Sequence, residues 1–205
     1  MKIIKPSISV EAFNSAKVLK KIEAAGRTCY KSENKITAGS SVKFIKNLIA
    51  REHFSVLEHF SITVRIICDR GVSHELVRHR TASFSQESTR YVSYIKGMEV
   101  IEPCFLEKNS DRYNDWINIM ANCELNYQNW IEDGRTPQEA RCLLPNSLKT
   151  EIVVTMNLRA WRNFLKLRCS LASHPQMREI ALMILTDFHS KLPEIFGKEL
   201  YGLDK

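Results

Sequence analysis

The sequence predicts a single α+β domain, on three observations. A chain of 205 residues has the length of one domain, or at most two, and can bury a sizeable core. Two runs, 60–68 and 149–157, carry the β-branched residues of strands, while longer segments place apolar residues at helical spacing. No internal repeat, low-complexity tract or linker divides the chain.

Taken in order, Ile3, Ile4, Ile8 and Val10 mark 2–10 as an opening strand, which Pro6 confines to a sheet edge. Phe13, Ala16, Leu19 and Ile22 recur at helical spacing, so 11–25 reads as a helix ended by Gly26. Residues 27–30 are a short connection and the polar 31–40 a mobile loop. Val42, Ile45, Leu48 and Ile49 define a second helix running to about Arg51. A polar hinge over 53–59 leads into the strand 60–68, where Ile62, Val64 and Ile66 alternate with polar neighbours. Asp69-Arg70-Gly71 turns the chain into a helix over 72–80, with Glu75, Arg78 and His79 on one face. A loop follows, and Tyr91, Val92 and Tyr94 return to extended structure. Trp116, Ile117, Met120, Leu125 and Trp130 place a long helix over 109–133. Thr136, Pro137 and Glu139 form the start of a short capped helix that ends near Pro145. The second main strand is 149–157. A short helix over 159–168 follows, then a longer one over 176–192 with Met177, Ile180, Ala181, Ile184 and Phe188 inward.

Hydrophobic content of 44% and charged content of 26% are ordinary for a soluble globular protein. The net charge of +7 suits an anionic ligand, nucleic acid or a basic cytosolic protein. Arginines gather at 78–90 and 159–168, which favours small anionic ligands over a nucleic-acid track. The six cysteines are widely spaced without a CxxC pair, so neither a zinc ribbon nor a redox motif is indicated. The first residues lack a secretory apolar region, and no apolar run approaches the roughly 20 residues of a membrane span. These features predict reduced thiols, a cytoplasmic location and no membrane partner.

The chemistry concentrates in Arg78-His79-Arg80-Thr81-Ala82-Ser83-Phe84-Ser85-Gln86-Glu87-Ser88-Thr89-Arg90-Tyr91. Arginine offers a permanently charged planar fork for phosphate or carboxylate, and the short hydroxyls add rotatable donors. An anionic, planar, polar ligand such as a nucleotide would use both; a solvated turn with scattered ion pairs would use neither. Only seven glycines occur, and no glycine-rich phosphate cradle is present, so side chains must hold any phosphate. His74 and His79 flank Glu75, but their five-residue spacing swings the rings roughly 140° apart on a helix, which argues against zinc. Ser88 has neither a nucleophile elbow nor an identifiable base. Arg159 and Asn163 share a helical face and can reach one ligand together, or lie on an exposed face with Arg162 and Lys166. Trp161, Phe164 and Leu165 read as core. Singly, His53, Ser55, Glu58 and His59 read as capping or structural groups.

Taken together, these residues carry a resemblance. Arg78-His79-Arg80 followed by Ser88 resembles the signature of the flavin-dependent thymidylate synthases. The segment His53 to His59 is similar to that family's His-x-Ser-x-x-Glu-His segment, and Arg141-x-x-Leu144-Pro145 to its Arg-x-x-Leu-Pro element. Asn157-Leu158-Arg159, Asn163-Phe164, Leu167-Arg168 and His174-Pro175-Gln176 follow in the family's order, so the resemblance spans most of the chain.

The resemblance implies a mixed or antiparallel central sheet flanked by helices, in one domain over 1–205. It implies a methyltransferase that makes dTMP from dUMP, with 5,10-methylenetetrahydrofolate as carbon donor and FAD, reloaded by NADPH, as hydride source. It implies a homotetramer with shared sites. By position, FAD would meet His53, Ser55, Glu58, Arg78, His79, Arg80, Gln86, Asn157, Arg159, Asn163 and His174. The dUMP site would draw on Glu75, Arg78, Gln86, Glu87, Ser88, Thr89, Arg90, Arg141 and Arg168. Arg168 and Ser88 are the catalytic positions, Ser88 as a binding donor and not as a nucleophile. Glu75 stands where glutamine is also found in the family, Gln86 where some members have glutamate, and Thr89 where glycine is common. Readings of a different class are a nucleic-acid-binding module or a nucleotide sensor without catalysis; both would lack a flavin chromophore.

Overall fold

The computed structural model describes residues 1–201. In chain order these form β1 (Lys2–Ile4), β2 (Ser7–Val10), α1 (Ser15–Tyr30), α2 (Ser40–Ala50), β3 (Ser61–Asp69), α3 (Arg70–Leu76), β4 (Ser83–Gln86), β5 (Glu99–Ile101), α4 (Asp111–Glu132), α5 (Pro137–Ala140), β6 (Lys149–Asn157), α6 (Leu158–Arg168) and α7 (Pro175–Lys191). Short 3-10 turns occupy Glu33–Lys35, Phe54–His59, Arg141–Leu143 and Lys198–Tyr201. The fold is α+β: a four-stranded antiparallel sheet ordered β2-β3-β6-β4, with the parallel pair β1-β5 as a separate two-stranded sheet.

The central pair is dictated by alternation. Ile62, Val64 and Ile66 of β3 lie in register with Met156, Val154 and Ile152 of β6, so both inward rows fall on one face. That face joins α1, α2, α6 and α7 in one core, in which Trp161, Phe164, Phe188 and Phe196 are fully buried, with Phe164 and Phe188 edge-on to Trp161 and Phe196 tilted against Phe188. Each such side chain is worth roughly 1.5–3 kcal/mol or more of apolar burial. The opposite face is polar: the Thr63 and Thr155 hydroxyls meet at 2.9 Å, and Arg65 pairs with Glu151. A smaller cluster of Tyr94, Met98, Tyr127, Ala140 and Leu148 lies under α4 and α5.

Several elements differ from the sequence reading. Pro6 is buried and divides 2–10 into two strands, one pairing with β5 and the other with β3. Gly26 does not end α1. It is buried where α1 crosses α2, and a Cβ there would lie 2.6 Å from Phe44 Cε1. The glycine serves close approach, and the helix runs on to Tyr30. It stops at Lys31, whose left-handed backbone turns its N–H onto the Arg27 and Thr28 carbonyls. The polar hinge is a 3-10 turn over Phe54–His59, and the polar loop includes another over Glu33–Lys35.

The helix expected over 72–80 is shorter and starts earlier. Asp69 caps it, accepting from the Val72 N–H at 2.7 Å, and it ends at Leu76. Arg78 and His79 then bond back to the carbonyls of Glu75 and Leu76 in tight turns. Glu75 is thus helical, whereas Arg78, His79 and Arg80 lie on the turn beyond. The expected loop contains an edge strand, β4, and 91–94 is not a strand. The long helix, the second main strand and the last two helices lie where the sequence placed them, within two residues at either end.

Candidate active site

A cavity of about 1220 Å³ opens between α6, the end of α2 and the turn after α3. It exceeds the roughly 300–1,000 Å³ typical of pockets for drug-sized ligands, so it has room for a dinucleotide. Helix α6 supplies one wall because its two faces are sorted by sequence. Trp161, Phe164 and Leu165 bury one side, while Arg159, Arg162, Asn163 and Lys166 line the cavity at i, i+3, i+4 and i+7. Asn157 starts the helix, its Oδ1 accepting from the Ala160 N–H at 2.8 Å. Arg159 and Glu58 form an ion pair of 2.6 Å that ties the 3-10 turn to α6. Arg162 donates to the Ile195 carbonyl and reaches Glu199 at 3.3 Å, so it braces the C-terminal segment against the cavity.

At the C-terminal end of α6 the Arg168 guanidinium is shared. Nη1 donates to Glu75 Oε2 at 2.6 Å and Nε donates to His79 Nε2 at 3.0 Å. Because an arginine N–H only donates, His79 Nε2 accepts, and the neutral ring carries its proton on Nδ1. Burial, then the Arg168 charge, hold the His79 pKa below the ordinary histidine value, against the pull of Glu75. Phe164 stands edge-on to the His79 ring at 5.0 Å.

The Gln86–Arg90 segment is built separately, beyond β4. Ser73 commits its hydroxyl proton to the Arg70 carbonyl at 2.9 Å, so it can only accept from Gln86 Nε2, also at 2.9 Å. Nε2 reaches Thr150 as well, at 3.1 Å, which fixes the amide orientation and leaves Oε1 as the free end. Glu87 accepts from the buried Tyr94 hydroxyl at 2.9 Å and from Lys149 Nζ at 2.8 Å. Burial, then this hydrogen bond, raise the Tyr94 pKa far above its usual value, so Tyr94 stays a donor. Ser88, Thr89 and Arg90 form the turn that follows, with the Arg90 N–H on Ser88 Oγ at 3.3 Å.

Of the residues singled out in the sequence, Glu58, Arg78, His79, Arg80, Asn157, Arg159, Asn163 and Arg168 line the cavity together. Glu75 reaches it through Arg168. The structure does not bring His53, Ser55, Gln86 or His174 to the cavity wall. His53 Nδ1 instead meets the Tyr30 hydroxyl at 2.9 Å, and His174 packs edge-on to Phe105 at 5.7 Å. Glu87, Ser88, Thr89 and Arg90 stand apart from it, and Arg141 is exposed on the 3-10 turn after α5. Arg162 and Lys166, grouped with Arg159 and Asn163 in the exposed-face alternative, line the cavity too, and Phe54, Glu199 and Leu200 are lining residues that sequence reasoning missed. The i, i+3, i+4, i+7 stripe on α6 was the signal that all four α6 residues share one face; the C-terminal residues offered none. Among the described residues, no group of three or more His, Cys, Asp or Glu is arranged to hold a metal, and no helix is long and apolar enough to cross a membrane.

A large cavity rimmed by arginines, with a separate serine-arginine turn, defines a class of protein that takes anionic ligands of nucleotide type. Residues 14–194 match the family model described as thymidylate synthase complementing protein. The chain is 34% identical over 183 residues to the flavin-dependent thymidylate synthase of Geobacter sulfurreducens, covering 85% of this chain and 79% of that protein. It is 33% identical over 194 residues to the enzyme of the same name from Mycobacterium tuberculosis, covering 86% and 77%. Among solved structures, the UMP/dUMP methylase PolB from Streptomyces cacaoi, bound with 5-Br dUMP, superposes with a TM-score of 0.76 at 25% identity, covering 96% of this chain and 95% of the other. The chain belongs to the flavin-dependent thymidylate synthase family.

Proposed function

We propose that the protein methylates dUMP to dTMP, taking its carbon from 5,10-methylenetetrahydrofolate. The observation that carries the reading is the cavity itself: eight positions of the family pattern, dispersed from residue 58 to residue 168, converge on its wall. Its volume and its cationic lining fit a flavin dinucleotide. Bound FAD, reduced by NADPH, would supply the hydride that completes the methyl group. Arg78, Arg80 and Arg159 would hold its phosphates, and Asn157 and Asn163 its polar edges, with Glu58 fixing Arg159. His53, Ser55 and His174 stand outside the wall and would meet the cofactor's outer parts.

The nucleotide is read by other groups. Ser88 and Arg90 would hold the dUMP phosphate on the turn that Gln86 and Glu87 pin down, with Thr89 between them. Arg141 would join from another subunit of a homotetramer, since it lies outside the cavity of its own chain. Arg168 would sit beside the uracil and favour the negative charge that develops at N3 and O2, a preorganised donor effect worth about 3 kcal/mol of barrier. Ser88 Oγ is an acceptor of a backbone N–H with no base beside it, which suits a binding role. We also read residues 1–205 as one domain and the location as cytoplasmic, in keeping with six cysteines that are all free thiols.

The test is a visible absorption spectrum of the purified protein, taken before and after anaerobic NADPH with dUMP present, followed by a dTMP assay. A yellow protein whose flavin band bleaches, and which then forms dTMP, is the expected result. A colourless protein that fails to take up FAD overturns the reading and returns the nucleic-acid and sensor alternatives.

A further inference from the structure

The family pattern sets Glu75 against the nucleotide, yet in the structure its carboxylate is engaged elsewhere. Glu75 Oε2 accepts from Arg168 Nη1 at 2.6 Å, and His79 Nε2 accepts from Arg168 Nε at 3.0 Å. Glu75 lies in the last turn of α3 and His79 four residues on, in the tight turn that follows. One short stretch of chain therefore brings two acceptors to one guanidinium. The buried Leu76 anchors that stretch in the core, and Phe164, one helical turn before Arg168, stands at 80° to the His79 ring and sets its plane. A guanidinium gripped at Nε and Nη1 cannot turn about its own axis. Three of its five N–H groups remain free to face a ligand.

We infer that Glu75 and His79 are positioning residues for Arg168: a carboxylate and a neutral, Nδ1-protonated imidazole jointly fix the guanidinium plane toward the nucleotide base. The inference rests on reading Arg168 as the cation beside the uracil. It explains why the residue at 75 must accept a hydrogen bond, a requirement that glutamate and glutamine both meet. It also makes the clamp sensitive to protonation, because an imidazolium has no acceptor for the Arg168 N–H and would face it as a like charge. The charged groups around His79 are Arg168 from α6 and Glu75 from α3, with Arg78 and Arg80 beside it in sequence; Phe164 closes the remaining side with an apolar edge.

The experiment uses FAD-loaded protein labelled with ¹⁵N at histidine. His79→Gln identifies the His79 ring signals among the six histidines. The expected result at pH 7 is a neutral ring protonated at Nδ1. Glu75→Leu should lower the His79 pKa, since it removes the carboxylate that favours the imidazolium, and Arg168→Met should raise it. In dTMP assays Glu75→Leu should lose roughly ten- to a hundredfold in kcat with the KM for dUMP held within about threefold, and Glu75→Gln should recover most of that loss. An Nε2-protonated ring, or a His79 pKa unmoved by both substitutions, overturns the clamp. So does a Glu75→Leu enzyme with unchanged kcat and a raised KM, which would make Glu75 a nucleotide ligand. If Glu75→Leu fails to fold, Glu75→Gln carries the same pKa reading. Should the wild-type protein make no dTMP, the synthase reading fails while the ring signals still decide the clamp.

Discussion

Lys149→Met removes the cation from beneath the Gln86–Arg90 turn and tests whether that turn is a built nucleotide site. Lys149 Nζ lies 2.8 Å from Glu87 Oε2, with side-chain exposures of 19% and 16%. The other carboxylate oxygen takes the Tyr94 hydroxyl at 2.9 Å, and the Glu87 backbone is fixed by Arg70 on its carbonyl and Glu151 on its N–H. Removing one partner of a fully buried pair costs about 3–5 kcal/mol. The residual exposure here lets water reach the orphaned carboxylate, so we expect about 2 kcal/mol. Tyr94→Phe removes a hydrogen bond to a charged acceptor, worth about 1.5–3 kcal/mol, and the two changes should couple because they share Glu87. Urea unfolding measures the stability loss, and dTMP kinetics measure its consequence: a KM for dUMP raised roughly tenfold, since each 1.4 kcal/mol is a decade. FAD affinity should hold, because neither Lys149 nor Glu87 lines the cavity. A stability change under about 0.5 kcal/mol, or a fall in FAD affinity as large as the fall in dUMP affinity, would refute the reasoning.

Four further outcomes follow from particular contacts. Gly26→Ala sets a methyl 2.6 Å from the Phe44 ring, which also lies under the Arg27 guanidinium at 4.2 Å, so thermal melts should show a loss of about 1–2 kcal/mol after the gain in helix propensity. A higher melting point would mean that the ring swings away freely. Asn157→Ala should cost about 1 kcal/mol of cap energy and weaken FAD binding, whereas Asn157→Asp should restore the cap but not the FAD affinity, read by melting and flavin titration. His79 binds its proton less readily folded than unfolded, so its share of stability is whole above about pH 6.5 and is lost as pH falls below it. Unfolding curves across that window should flatten in His79→Gln. Arg168→Ala should keep its flavin while turnover falls roughly a hundredfold; substantial dTMP formation would remove Arg168 from its assigned place.

The strands and helices that carry the core were legible because one side chain period governs each. Alternation over 60–68 and the β-branched residues Ile152, Val153 and Val154 within 149–157 mark the strands β3 and β6, which the structure pairs, and Trp161, Phe164 and Leu165 mark the buried face of α6. Misreadings came where a residue has two physical uses. Gly26 reads as a helix stop because glycine often ends helices; in the structure its lack of a Cβ lets α2 pack closely. Val77 to Arg80 continue a helical pattern in composition, yet the chain leaves the helix at Leu76 and the backbone tightens into turns. The edge strand β4 has little β-branched character in Ser83-Phe84-Ser85-Gln86, so its assignment comes from β6 beside it, a tertiary fact with no local signature. At the site, eight motif positions from 58 to 168 converge, but Gln86 and His174 do not reach the cavity wall, because β4 carries the one away and α7 begins at the other.

That divergence gives the spacing inside the arginine-serine signature a physical meaning. Between Arg80, on the cavity wall, and Ser88, on the turn proposed to hold the nucleotide, the chain runs through β4, held against β6 from Ser83↔Thr155 to Gln86↔Ile152. At roughly 3.3 Å per residue, eight residues of extended chain span at most about 26 Å. Four of those residues, Ser83 to Gln86, are held in a sheet register, so the interval is not a slack loop. One end presents cations to a cavity of dinucleotide size; the other presents a turn whose two leading residues, Gln86 and Glu87, are fixed by Ser73, Thr150, Tyr94 and Lys149. Arg80 lines the cavity and none of residues 86–90 does. Our proposal that a second copy of the chain completes the site, with Arg141 lent across a subunit boundary, answers that separation. On that proposal, disrupting assembly should abolish dTMP formation in a protein whose individual chains remain folded.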